Sequence, residues 1–324
     1  MAKPSGFEAE LRQLDGRAFL VIPDTMRSWR ISHTTVDQQT RLAVVVFFAV
    51  ALFLALALAL LMSAAGSSVH KGQGLVWVAM MMWTPFVGRI VASKTIDLNW
   101  RAPFPLTKWG RRFEVIILPL VLVLAIYGTA YFIGLMAGIA EWKPGGGKWD
   151  SLSRIVLNLG LNVPILLPLF TLGALGEELG WRGYLQPRLD AARVKHSLAI
   201  VIALEVVWHL PVMMLGGYLL KDSLLVTLLL FTALKICASP LWAWVVYRMG
   251  SVWPAVFFHA LHNLASQWLY PRLFVSDEGG IMLGEFGVLP IVCYATATAI
   301  GVAKMRRQRL SWLQLADRSL GRAP

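Results

Sequence analysis

The chain has 324 residues, of which 57% are hydrophobic and 15% charged, with a mean hydropathy of +0.63. A soluble domain carries about 25% charged residues, and one water-soluble core of this size cannot hide so much apolar surface, so disorder is excluded and a polytopic membrane protein, not an ordinary soluble enzyme, is the default reading. The net charge of +12 does not mark a nucleic-acid partner, because Lys and Arg sort by loop instead of gathering on one stripe.

Residues 1–41 read as a cytoplasmic segment. Glu8, Glu10, Arg12, Asp15, Arg17, Asp24 and Arg27 are scattered along it, without the basic-then-apolar order of a cleavable leader. Eight apolar runs then approach the roughly 20 residues a helix needs to cross a bilayer: 42–65, 74–92, 114–140, 155–180, 197–219, 223–248, 252–271 and 282–303. The first carries no charge; Arg89, two histidines and Pro290 interrupt the second and the last two. Between the second and third runs, Asp97 to Arg112 mixes Pro103, Pro105, Trp100 and Trp109 with four basic residues. It reads either as an interfacial segment on anionic lipid or as a long loop. Residues 304–324 form a basic cytoplasmic tail.

Charge placement supports the count of eight, because Lys and Arg accumulate in cytoplasmic loops. With the N-terminus inside, 23 of the 30 basic residues fall on the cytoplasmic side, 6 on the other, and Lys235 within a span. The expected fold is therefore an all-α polytopic membrane protein, with residues 42–303 as an eight-helix domain and both termini cytoplasmic. Trp142, Trp149, Trp181, Trp253 and Trp268 sit near span ends, where they suit either the headgroup belt or helix packing. Cys237 and Cys293 are too far apart in sequence, and too apolar in setting, for a disulfide framework or a thiolate zinc site.

Ionisable side chains in hydrocarbon cost about 2.5–3.5 kcal/mol each on insertion scales, so each marks a candidate site. The fourth run ends in Gly176-Glu177-Glu178-Leu179-Gly180-Trp181-Arg182. Glu178 and Arg182 are i,i+4 neighbours able to pair; Glu177 is turned about 100° away. Two adjacent carboxylates resist joint ionisation, which suits one of them to general acid or base work. The alternative is a charged helix end that snorkels to the interface. Glu205 and His209 share one face of the fifth run, and His259 and Asn263 share one face of the seventh. A buried His is by itself more often a packing residue than a catalyst. Three runs that each present such a group point instead to a shared intramembrane site.

These residues resemble the motifs of the CAAX protease and bacteriocin-processing (CPBP, or Abi) family of intramembrane endopeptidases: Glu-Glu-x-x-x-Arg, Phe-x-x-x-His and His-x-x-x-Asn on successive spans. Glu177, Glu178 and Arg182 match the first motif, His209 the second, and His259 with Asn263 the third. Glu205 stands where the family has Phe, which places a further carboxylate beside the site. The resemblance covers about 155–270. It implies peptide hydrolysis, with Glu177 and His209 activating water, Glu178 and Arg182 orienting Glu177, and His259 and Asn263 stabilising the tetrahedral intermediate. A divalent, zinc-like ion would take Glu177, His209 and His259 as ligands; no His-Glu-x-x-His occurs, and a glutamate-driven reaction without metal is the preferred reading.

The partners implied are a peptide or protein substrate at the membrane and the lipid bilayer itself, and the Ala-, Arg- and Trp-rich composition leans toward a bacterial plasma membrane. A non-catalytic Abi-like immunity or signalling scaffold, favoured by Glu205, is the competing reading. An ion-coupled transporter is a third, weakened by the lack of an inverted repeat. Depth poses a problem. Glu178 lies about 34 Å along its run, past a ~30 Å hydrocarbon slab, whereas His209 lies only about 16 Å into its own. The two meet only if the fourth helix tilts or bends, for which Pro164 and Pro168 offer a cause. A polar cavity opening to the cytoplasm, with Glu177 about a water's reach from His209, is expected.

Overall fold

The computed structural model describes residues 11–14, 17–20, 33–97, 113–219, 223–276 and 281–307. Most of the expected interfacial stretch after Asp97, the tail from 308 on, and much of the N-terminal segment lie outside these residues.

The described chain is mostly helical: α1 His33–Ala64, α2 Gly74–Met82, α3 Thr84–Thr95, α4 Glu114–Met136, α5 Leu152–Gly180, α6 Gln186–Ala191, α7 Ser197–Leu215, α8 Leu224–Met249, α9 Trp253–Leu264, α10 Tyr270–Leu273 and α11 Val288–Arg307. The boundaries follow local chemistry. The Ser151 and Ser223 hydroxyls accept from the backbone N–H of Arg154 and Val226, capping α5 and α8. Pro85 and Pro254 open α3 and α9, where a missing N–H costs nothing. Gly250, at φ +61, closes α8.

Two short two-stranded sheets complete the description. β1 Leu11–Leu14 pairs with β2 Arg17–Leu20, in a region where the sequence suggested no strand. β3 Ala140–Trp142 pairs antiparallel with β4 Phe274–Ser276, joining the α4–α5 connection to the α10–α11 connection.

Six helical stretches are long and apolar enough to cross a membrane: Gln38–Ala64, Gly74–Thr95, Glu114–Met136, Leu152–Ala191, Ser197–Leu215 and Leu224–Met249. The remaining two expected runs are also helical but fall short of that standard. The seventh is α9, a π turn at Ala265–Leu269 and α10 in succession, and its histidines, Asn263 and Arg272 dilute its apolar character. The eighth begins only at Val288, because residues 281–287 fold as a tight loop in which a Cβ on Gly287 would lie 2.6 Å from the Leu283 carbonyl carbon. The third run likewise ends at Met136, short of residue 140.

α5 divides into two environments. Its first half shows Leu152, Val156, Leu161, Ile165, Leu169 and Leu172 outward at helical spacing. Asn158 and Asn162 are satisfied there by donating to the Arg154 and Asn158 carbonyls one turn back, at 2.8 and 2.7 Å. From Gly173 onward the helix sinks into the protein. Pro164 and Pro168 lie within α5 without ending it, and a π turn at Trp181–Leu185 carries it into α6.

Burial of this second half depends on small residues. A Cβ on Gly176 would come within 2.7 Å of the Met82 carbonyl oxygen, and one on Gly180 within 2.5 Å of Pro85 Cβ and 2.7 Å of its carbonyl carbon. The α2–α3 junction therefore lies against bare α5 backbone, the close approach that small residues permit between membrane helices. Trp181, for which the sequence left the headgroup belt and helix packing both open, takes the packing role: it is fully buried, edge-on to Phe47 of α1 and Trp208 of α7. Beyond it, Arg188 of α6 forks onto Asp97 with two bonds of 3.0 Å, and the Tyr184 hydroxyl donates to the same carboxylate at 2.7 Å. This clamp fixes the chain leaving α5 to the end of α3.

Gly180→Ala should destabilise the protein by about 1–3 kcal/mol, the usual cost of overpacking, read as a lower unfolding midpoint in detergent. Asp97→Ala, which strips Arg188 of its buried carboxylate, should cost about 3–5 kcal/mol in the same measurement.

Candidate active site

Glu177, Glu178 and Arg182 lie where α5 passes into its π turn, a helical irregularity that recurs at functional sites. Glu178 is fully buried, and its Oε1 meets two partners: Arg182 Nη1 at 3.3 Å, as the i,i+4 spacing requires, and His259 Nδ1 of α9 at 2.9 Å. Arg182, 1% exposed, also pairs through Nη1 with Glu205 of α7 and donates from Nη2 to Glu205 Oε2 at 3.3 Å and to the Ser239 hydroxyl of α8 at 3.2 Å. Its guanidinium carbon lies 5.2 Å from the Trp242 ring centre. One cation thus joins α5, α7 and α8, and through Glu178 it reaches α9.

The sequence suggested no partner for Lys235. The structure supplies Glu205: the Lys235 ammonium lies 3.3 Å from Glu205 Oε2 and 5.4 and 5.2 Å from the Phe231 and Trp242 rings. Glu205 therefore serves Arg182 and Lys235 together, and its side chain does not pair with His209.

The His209 ring is placed by its backbone. Nδ1 lies 2.8 Å from the Glu205 carbonyl, which only accepts, so Nδ1 carries the proton and Nε2 of the neutral ring is left as acceptor. Trp208 and Phe231 flank the ring at 4.7 and 4.4 Å. His259 is similarly oriented, by Glu178 at Nδ1 and by the Trp242 ring at 4.9 Å.

His209, Lys235, Trp242, His259, His262, Asn263 and Glu285 line one cavity of about 20 Å³, room for about one water. Four residues singled out from the sequence thereby converge from two directions: His209, His259 and Asn263 on the cavity, and Glu178 behind His259. Glu177, 3% exposed, is not among the lining residues, and its Oε2 is buried without a hydrogen-bond partner.

His262 was visible in the sequence as an intramembrane histidine but had no assigned role. Its Nδ1 lies 3.1 and 2.9 Å from the Tyr127 and Tyr294 hydroxyls, and its Nε2 lies 3.9 Å from Glu285 Oε1. Gln267 donates to the other Glu285 oxygen at 3.1 Å. Ser239, Trp242, Tyr127, Tyr294 and Glu285 carried no mark in sequence: hydroxyls and rings in apolar runs look like packing until their neighbours are known.

The donor set Glu177, His209 and His259 does not assemble as a metal site. Among the described residues no three His, Cys, Asp or Glu side chains converge on one point.

No curated protein matches the chain. The family model described as type II CAAX prenyl endopeptidase Rce1-like matches residues 159–265. That segment runs from α5 through α9 and contains Glu177, Glu178, Arg182, His209, His259 and Asn263, and through it the chain matches the CAAX protease family that its motifs resemble.

Proposed function

We propose that this protein is an intramembrane endopeptidase that hydrolyses a peptide bond of a membrane-associated protein or peptide, seated in a bacterial plasma membrane by eight spans with both termini cytoplasmic. The observation that carries the reading is the meeting of His209, His259 and Asn263 on one cavity, with Glu178 and Arg182 bonded directly behind His259.

Peptide hydrolysis needs an activated water, a proton carrier and a stabiliser for the oxyanion. His209 offers Nε2 as an acceptor, and Glu177 has a carboxylate oxygen without a partner. His209, on the cavity, takes the proton as a water O–H bond breaks, and Glu177, which lies off the lining, acts as the base only once its free oxygen reaches that water. The new C–O bond forms at the peptide carbonyl, and its π electrons move onto the oxygen. The Asn263 amide donates to that oxygen. His259, held at Nδ1 by Glu178, keeps Nε2 as the ring nitrogen left to face that oxygen. When the C–N bond breaks, the stored proton passes to the departing amine. Arg182 acts through Glu178 and touches no reacting atom.

Glu177→Gln, which keeps shape and removes the base, should lower kcat by about 10²–10⁴-fold in a reconstituted cleavage assay; unchanged turnover removes Glu177 from the reaction. Asn263→Ala should lower kcat by about 10²–10³-fold with KM little altered, and a rise in KM alone would assign Asn263 to substrate binding instead.

A further inference from the structure

Resting on that function, we infer that Glu205 and Lys235 are a compensated charge pair, in which Lys235 neutralises Glu205 so that Arg182 remains engaged with Glu178 and keeps His259 in register. Both are positioning residues, acting on the cavity through Arg182, Glu178 and His259 in turn.

The geometry carries this. Arg182 is shared between two fully buried carboxylates, Glu178 one turn back on its own helix chain and Glu205 across on α7, and it donates to each at 3.3 Å. In a dry interior a carboxylate served by one cation alone draws that cation strongly, because no water competes for it. Left to themselves, Glu205 and Glu178 would compete for one guanidinium.

Lys235 changes that balance. It approaches Glu205 Oε2 from α8 at 3.3 Å, beside the oxygen that Arg182 Nη2 also reaches, and supplies a second positive charge. The Lys235 stem passes along Phe231 and Trp242, whose rings hold the ammonium at 5.4 and 5.2 Å. The same Trp242 ring meets Arg182 at 5.2 Å and His259 at 4.9 Å, so a shift of either cation would be felt at the histidine. Lys235 and Glu205 come from different helices, 30 positions apart, and both are costly in a membrane interior. Each accounts for the presence of the other.

The test is a double-mutant cycle of Lys235→Met and Glu205→Gln in the full-length protein, with two readouts: cleavage rate, and the ¹⁵N resonance of His259 Nδ1 in histidine-labelled protein, which reports its bond to Glu178 whether or not substrate is turned over. Lys235→Met should lower kcat by about tenfold or more, the scale of coupling between contacting residues, with KM little changed, and should shift the His259 resonance. The double variant, neutral at both positions, should regain most of the kcat and return the resonance to its wild-type position. If Lys235→Met does not yield monodisperse protein, recovery of folded protein in the double variant supports the pair equally. The inference is overturned if Lys235→Met leaves both readouts unmoved, if the double variant is no better than the single, or if neither variant folds. A wild-type protein that cleaves nothing defeats the protease reading alone, since the His259 resonance still decides the pairing.

Discussion

A single guanidinium organises the interior. Arg182 is 1% exposed and faces carboxylates on two helices and a hydroxyl on a third. Removing such groups from water is expensive, and the expense is offset only when several well-placed partners satisfy each charge. That requirement fixes α5, α7 and α8 relative to one another far more narrowly than apolar packing would, since lipid tails solvate leucine as well as a neighbouring helix does. His259 inherits its position from this lattice through Glu178, and the cavity inherits its shape from His259.

The surrounding structure serves the same end. The second half of α5 can enter the protein only because Gly176 and Gly180 let the α2–α3 junction lie against its backbone, and Arg188 with Asp97 then anchors the chain beyond. Two of the three helices that bear motif residues, α5 and α9, run directly into π turns. Each such turn widens the helix by one residue and re-aims the side chains that follow, which at Arg182 coincides with the reach toward α7.

Much of this was legible in the sequence. The spans announce themselves by length and apolarity, and each of the eight runs contains a helix, although only six helical stretches reach spanning length and composition. Glu178 with Arg182 followed from helical spacing alone. Glu205 was read beside His209 because the two are four apart, but its side chain turns away to Arg182 and Lys235 while its carbonyl takes the histidine. Periodicity gives the face of a helix and not which neighbour that face meets, so a partner 30 residues away on another helix stayed hidden. The depth conflict between Glu178 and His209 arose from treating α5 as a membrane-length rod. The helical stretch Leu152–Ala191 is 40 residues, about 60 Å, so it cannot stand upright within a slab half that thickness, and depth counted along its axis overstates depth in the bilayer.

The chamber at the centre of these contacts is about 20 Å³, room for about one water. A polypeptide segment therefore has no berth in this arrangement: admission requires α7, α8, α9 or the 281–287 loop to part, and the same parting would wet the buried charges. On the function proposed above, entry of a substrate and wetting of the charges would be one and the same event.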